Sequence, residues 1–384
     1  IAEFGPMHIL IAPNAFKNSL DAASAAERIR EGLLQSRLKP TCACFPVGDG
    51  GDGTAELLIS HLKGETRSIE TTDALGRKIS SSFGWIGSQR LAVIEMADAS
   101  GLRQLKPEEY NPLRATTYGT GRLLQAALDL SPQKIIMGIG GSATVDGATG
   151  ILQALGLRFL DKDGKELNGL PESLSALHAI DSAGLDKRIL ETEFIILCDV
   201  ENILLGADGA AAVFGPQKGA TPEMVKTLDA ALARFREIAL QQTGFDMGSV
   251  RHGGAAGGTA AGLAAFAGAR LANGIDQFLE ITQFDEALGK ADLLITAEGS
   301  IDRQTLNGKA PYGVARKAKE KNIPVIGLAG KIPLDTDAEL DRYFDALIAI
   351  GHQPLSLESA MQLTAASLKR TAAMIGNMLA IKNR

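Results

Sequence analysis

KIIMGIGGSATVDGATG, residues 134–150, decides the fold class: an apolar β-branched run ends in glycines, a polar loop follows, and a helical stretch around 148–156 comes next. The same order recurs at both ends of the chain. HILIA at 8–12 passes through PNAFKNS into a helix near 21–35. DLLITAEG at 292–299 passes through SIDRQTLNGK into a helix near 311–320, and a further strand, PVIGLAG, follows at 324–330. Strands alternating with helices of about ten to fifteen residues mean βαβ units and a mostly parallel sheet. In such open sheets ligands gather beyond the carboxyl ends of the strands, where each of these loops falls.

The middle of the chain has a different texture. Residues 68–98 alternate with a period of two, with turns at Leu75-Gly76 and Gly87-Ser88, which predicts antiparallel pairing. The expected fold is α/β, with two different three-layer domains. A discontinuous Rossmann-like domain over 7–67 and 285–384 carries a mostly parallel sheet built from both chain ends. A second α/β domain over 68–284 is inserted with a mixed sheet.

Composition agrees with that size and class. At 384 residues the chain exceeds what one hydrophobic core usually supports. Apolar residues make up 45% and aromatics only 5%, so the core is built from Ala, Leu, Ile and Val. The formal charge of −6, without long single-sign runs, argues against nucleic acid or an anionic membrane as partner. Three cysteines without zinc spacing point to a reducing compartment, hence a cytoplasmic location. Met7 opens the run MHILIAP, which reads as the natural start, and no signal peptide or membrane span is expected. No strip for a coiled coil appears, and monomer and homodimer are both compatible.

Six groups of loop residues are candidates for chemistry. PVGDGGDGTAELL at 46–58 sets Asp49 and Asp52 among Gly50, Gly51 and other glycines: carboxylates suited to a hard cation such as Mg²⁺, and backbone open to phosphate. A solvated Asp-Gly turn with Asp52 capping a helix is the alternative. Gly140, Gly141 and Ser142, followed by Asp146, form an anion site at a helix start, or else glycines that allow close helix–sheet packing. Glu298, Asp302, Arg303 and Lys309 suit a metal–phosphate site or a surface salt-bridge network; a Walker A reading fails at Arg303 and Ala310. Asn14 and Lys17 follow the first strand, and Asp199 closes another apolar run as a metal ligand, base or turn residue. Lys218 in FGPQKGA and the loop RHGGAAGG at 251–258 form a cationic, Gly-rich pair, the second leading into a helix expected to end near Leu271. The scattered histidines and the lack of G-x-S-x-G or G-x-G-x-x-G weigh against zinc chemistry, a hydrolase triad and dinucleotide binding.

Taken together, APNAFKNSL, PVGDGGDGT, IEMADASGL, NPLRATTYGTG, GIGGSATVDGATG, CDVENILLG, FGPQKGA, GGAAGG and ITAEGSIDRQTLNGKAP resemble the bacterial glycerate kinase family, from Ile9 to about Gly330. The resemblance implies ATP and Mg²⁺, D-glycerate as acceptor, 2-phosphoglycerate or 3-phosphoglycerate as product in glyoxylate-type carbon metabolism, and a site in the cleft between two α/β domains. It implies Mg²⁺ and phosphates near Asp49, Asp52, Glu298 and Asp302, with Lys17 and Lys309 as cations. Gly140, Gly141, Ser142, Gly50, Gly51 and Lys218 would serve ATP. Asn14, Arg303, Lys17 and Asp302 would serve glycerate, whose carboxylate could also meet Lys218 or the Gly141 loop. Asp199, followed by Asp146, is the candidate base. Where the family usually has Asp, Glu, Arg, Asn, Pro, Gly and Arg, this chain has Asn14, Asp52, Tyr110, Val145, Ile203, Ala297 and Ser300. The changes at Val145 and Ser300 leave fewer donors for an anionic substrate. They motivate two alternatives: a kinase of another small hydroxy acid, or a non-catalytic binding protein.

Overall fold

The computed structural model describes residues 7–381 except Asp52, Asp199 and Thr336. Its strands in chain order are β1 (His8–Ile11), β2 (Thr41–Cys44), β3 (Glu65–Thr72), β4 (Lys78–Ile86), β5 (Leu91–Glu95), β6 (Lys134–Gly138), β7 (Arg158–Leu160), β8 (Ala179–Asp181), β9 (Glu193–Leu197), β10 (Arg270–Ala272), β11 (Leu293–Ser300), β12 (Val325–Lys331) and β13 (Ala346–Ala349). The chain divides into two compact units, one of residues up to Asp49 and from Gly274, the other Gly50–Asn273.

The first unit holds a five-stranded sheet in the order β13-β12-β11-β1-β2, with every pairing parallel. Alternation along β1 buries both faces of the sheet. Ile9 and Ile11 join a core with Ile29 and Leu33 of helix Ala22–Gln35 and Leu368 and Ile375 of helix Thr364–Leu379, while Leu10 between them is equally buried. Helix Ala22–Gln35 starts where Asp21 accepts from the Ser24 amide at 2.7 Å, an N-cap that satisfies one orphan N–H. The strand order reverses between β1 and β11: the chain leaves β1 toward β2 on one side, and β11 toward β12 and β13 on the other. That reversal opens a crevice at the carboxyl ends of β1 and β11.

The second unit holds a six-stranded mixed sheet in the order β10-β9-β6-β5-β4-β3. Four strands run parallel, and β4 and β3 pair antiparallel as the period-two pattern predicts. The first turn holds because Gly76 takes φ 82° and the Asp73 carboxylate accepts from the Leu75 and Arg77 amides. A separate two-stranded pair joins β7 to β8. No helix among the described residues is long and apolar enough to cross a membrane.

The chain passes between the two compact units at Asp49/Gly50 and Asn273/Gly274, where the expected domain bounds are 67/68 and 284/285. Helix Thr54–His61 packs on the second sheet, because Ile59 occupies the space a Cβ at Gly84 would need, 2.5 Å away. Helix Gly274–Ile281 stays with the first unit because Ile275 lies over Gly313 of helix Ala310–Glu320. The Ala-rich helix stops at Ala267 with Gly268 at φ 65°, so Leu271 belongs to β10.

Candidate functional site

In the first unit the carboxyl ends of β1 and β11 bring together residues 283 positions apart, since the Ala12 amide donates to the Ile295 carbonyl at 2.8 Å. Two residues on, the Asn14 amide donates to the Ala297 carbonyl at 2.8 Å, which sets the Asn14 side chain beside the start of the next loop. Its Nδ2 donates to Asp49 Oδ2 at 2.9 Å, and its Oδ1 accepts from the Ala15 amide at 2.8 Å. Asparagine can do both at once, and a carboxylate in its place would face Asp49 with like charge.

Glu298 closes the buried run of β11, as its neighbour Ala297 is fully buried. Its Oε2 is buried with no hydrogen-bond partner among the described residues. Burial pushes its carboxyl up to about 7; Lys309 and Lys17 pull it back, while Asp49 and Asp302 add to the rise. Four of the expected residues, Lys309, Asp49, Lys17 and Asp302, therefore act electrostatically on a fifth, Glu298. Asp302 caps the turn Arg303–Asn307 by accepting from the Gln304 amide at 2.9 Å, and Ser300 Oγ donates to its other oxygen at 3.2 Å. Lys309 stands at the N-cap of helix Ala310–Glu320, after Gly308 at φ 96°. Arg303 does not join them: it is exposed and pairs with Asp337 at 2.6 Å.

Among the described residues no three His, Cys, Asp or Glu side chains form a group that could hold a metal ion. Mg²⁺ does not require such a cage, because it usually takes one or two carboxylates and completes its shell with water and phosphate oxygens. A buried carboxylate oxygen without a partner among the described residues, in the field of the Asp49 and Asp302 carboxylates, fits a hard cation of that kind.

In the second unit β6 delivers the loop from Ile139 to Gly147. Gly50 and Gly51 lie against its start, where a Cβ on Gly138 would stand 3.2 Å from the Gly50 carbonyl and one on Gly140 would stand 3.5 Å from Gly51 Cα. Gly141 and Gly147 adopt φ of 65° and 61°, which only glycine takes freely. Asp146 is 0% exposed. Its Oδ2 accepts from the Thr117 amide and hydroxyl, both at 2.8 Å, and the Gly150 amide at 3.3 Å; its Oδ1 accepts from the Ala148 amide at 3.1 Å. Burial raises its pKa against the pull of these donors. Lys218 is 2% exposed, and its Nζ donates to Ser142 Oγ at 2.8 Å and the Thr144 carbonyl at 2.7 Å. Burial lowers this ammonium to about 7, opposed by Asp146.

Asp52 and Asp199, expected as metal ligand and base, lie outside the described residues. Sequence reading passed over Thr117, whose two donors hold Asp146, and Glu95, which accepts from the Ala55 amide at 2.9 Å. Glu95 had a usable signal: it closes the apolar run LAVIE as Glu298 closes LLITAE. Thr117 had none, because its partner lies 29 residues away.

The glycerate kinase family pattern matches residues 9–380. The chain is similar to glycerate kinase of Bacillus subtilis (strain 168), 44% identical over 366 residues, which is 95% of this chain and 96% of that one. It is 39% identical over 382 residues to glycerate 2-kinase of Escherichia coli (strain K12), covering 98% and 99% of the two chains. A crystal structure provisionally named glycerate kinase 2, from Salmonella typhimurium LT2, has 41% sequence identity and a TM-score of 0.87, over 99% of this chain and 100% of the other.

Proposed function

The chain belongs to the glycerate kinase family, and on that premise we propose that it transfers the γ-phosphoryl group of ATP to D-glycerate, giving 2-phosphoglycerate. The name glycerate 2-kinase carried by the E. coli relative supports the 2-hydroxyl as acceptor. The observation that carries phosphoryl transfer is Glu298: a buried carboxylate oxygen with no protein partner, in the field of Lys309, Asp49, Lys17 and Asp302.

Glu298, Asp49 and Asp52 are the residues that would hold Mg²⁺. Bound there, Mg²⁺ would supply positive charge against the phosphates. Lys17 and Lys309 face charge developing on the transferred group, where fixed cations lower the barrier. Asn14 keeps the Asp49 carboxylate oriented through its Nδ2. The amides of Gly140, Gly141 and Ser142, with Gly50 and Gly51, supply donors for an anionic oxygen. Asp199 takes the proton from the glycerate hydroxyl. Asp146 is assigned to holding the loop, since both of its oxygens already accept bonds in a fully buried place. Arg303 serves the glycerate carboxylate only by leaving Asp337. ATP dependence and a sequence with only three cysteines, without zinc spacing, support action in the cytoplasm, within glyoxylate-type carbon metabolism.

ADP release from MgATP with D-glycerate tests this reading, with the product passed to enolase alone and then with phosphoglycerate mutase added. Turnover through enolase alone is expected. A requirement for the mutase would transfer the reaction to the 3-hydroxyl, and no turnover with either enantiomer would refute the acceptor. Ser300, whose hydroxyl reaches only Asp302 among the described residues, favours one second reading, a different small hydroxy acid, which a panel of acceptors resolves.

A further inference from the structure

Lys218 ends the turn Pro216–Lys218, and its backbone is fixed from both sides. Gly219 follows at φ 90°, and a Cβ there would stand 2.5 Å from the Tyr110 carbonyl, so the chain beyond Lys218 has one path. The side chain runs inward and brings a cationic donor to a place almost without water, where an ammonium is tolerated only if its hydrogens find acceptors. Among the described residues both of its acceptors belong to the Gly140–Gly147 loop: Ser142 Oγ and the Thr144 carbonyl. Asp146, at the end of that loop, is the charge that acts on it.

The opposite side of the loop is held by backbone. Ala256, Gly257 and Gly258 adopt φ of 52°, 69° and 87°, and a Cβ on Gly257 would come within 2.2 Å of the same Thr144 carbonyl. The Gly147 amide donates to the Gly257 carbonyl at 3.0 Å. Thr144 is thus clamped between an ammonium and a glycine, and the amides of Gly140 to Ser142 lie just before the clamp. A buried cation whose bonds end on the loop orients those amides without reaching what they bind.

We propose that Lys218 is a positioning residue for the anion-binding loop, fixing the Gly140–Ser142 amides through Ser142 and Thr144 and touching neither ATP nor glycerate. The kinetic part of this proposal rests on the phosphotransfer reading above; the structural part does not.

Three measurements test it. Reductive methylation followed by peptide mass spectrometry should leave Lys218 unlabelled in the free protein. Labelling that MgATP or D-glycerate suppresses would make it a direct ligand and overturn the proposal. Lys218→Met should speed amide exchange across residues 139–147 while β5 and β9 exchange as in the unaltered protein, and should lower kcat/KM by about 100-fold. The KM of one substrate should rise and the other stay, because one anion meets the loop. Native exchange across 139–147, or equal rises in both KM values with faster exchange everywhere, would overturn it. If Lys218→Met does not fold, Ser142→Ala and the labelling decide: this milder change should speed exchange over the same residues, and native exchange there would count against the proposal. Exchange and labelling need no turnover, so they succeed or fail separately from the assigned reaction.

Discussion

Replacing Glu298 with glutamine removes a charge that the folded chain holds at a cost. The carboxyl rises from an ordinary 4.5 to about 7, through burial first, with Asp49 and Asp302 adding and Lys309 and Lys17 opposing. A folded state that binds the proton more tightly than the unfolded chain loses stability as pH rises between those two values. Below about 4.5 both states are protonated and the cost vanishes; above about 7 it is complete, at roughly 3 kcal/mol. Glutamine is neutral throughout, so Glu298→Gln should gain on the unaltered protein as pH rises. Its own buried amide adds a constant, which cancels when the two proteins are compared at two pH values. The stability difference between them should therefore change by roughly 2.5 kcal/mol between pH 5 and pH 8. Urea titrations with a chelator present, read by hydrogen exchange in β1 and β11, measure that difference within the unit concerned. A difference that stays constant across pH would refute the buried, unpartnered carboxylate. The same variant should lose most of its kcat, and MgATP should no longer stabilise it.

Other changes separate the roles of the two units. Asp146→Asn turns an amide toward the donors of Thr117, Ala148 and Gly150 and should destabilise the second unit by on the order of 3 kcal/mol, read from the fluorescence of Trp85, the single tryptophan. Gly257→Ala needs φ 69° and meets the Thr144 carbonyl at 2.2 Å; a loss of about 2 kcal/mol or more is expected in urea, and a neutral result would contradict the packing of the two loops. Lys309→Met should lower kcat by about 100-fold or more in steady-state assays while leaving the unfolding midpoint near native, because a lost fixed cation acts on the transition state. Chelation of divalent ions should abolish ADP release and MgCl₂ should restore it; activity surviving in excess EDTA would remove Glu298 and Asp49 from metal binding.

Local chemistry explains which parts were legible beforehand. β-branched runs, glycines and helical spacing are written within a few residues, so β1, β6 and β11 and the helices after them follow from their own segments. The antiparallel stretch over β3, β4 and β5 follows in the same way from its period of two. Charged residues that close apolar runs mark candidate sites for an equally local reason: full burial ends there, as it does at Glu298 in β11.

Only the tertiary structure decided what depends on partners far along the chain. The division at Asp49/Gly50 follows from Ile59 filling the space beside Gly84, a contact that no pattern around Thr54 announces. Asn14 finds Asp49 across 35 positions, and Lys218 finds Ser142 across 76. Burial then sorts residues of the same type: Asp146 has its oxygens occupied while Glu298 keeps one bare, and Lys218 turns inward where Lys17 stays exposed. The sequence by itself determined the elements, the family and the candidate loops, because those are set by neighbours in the chain. Which carboxylate stays unpaired and which lysine is enclosed are set by packing and desolvation, and these exist only once the strands have assembled.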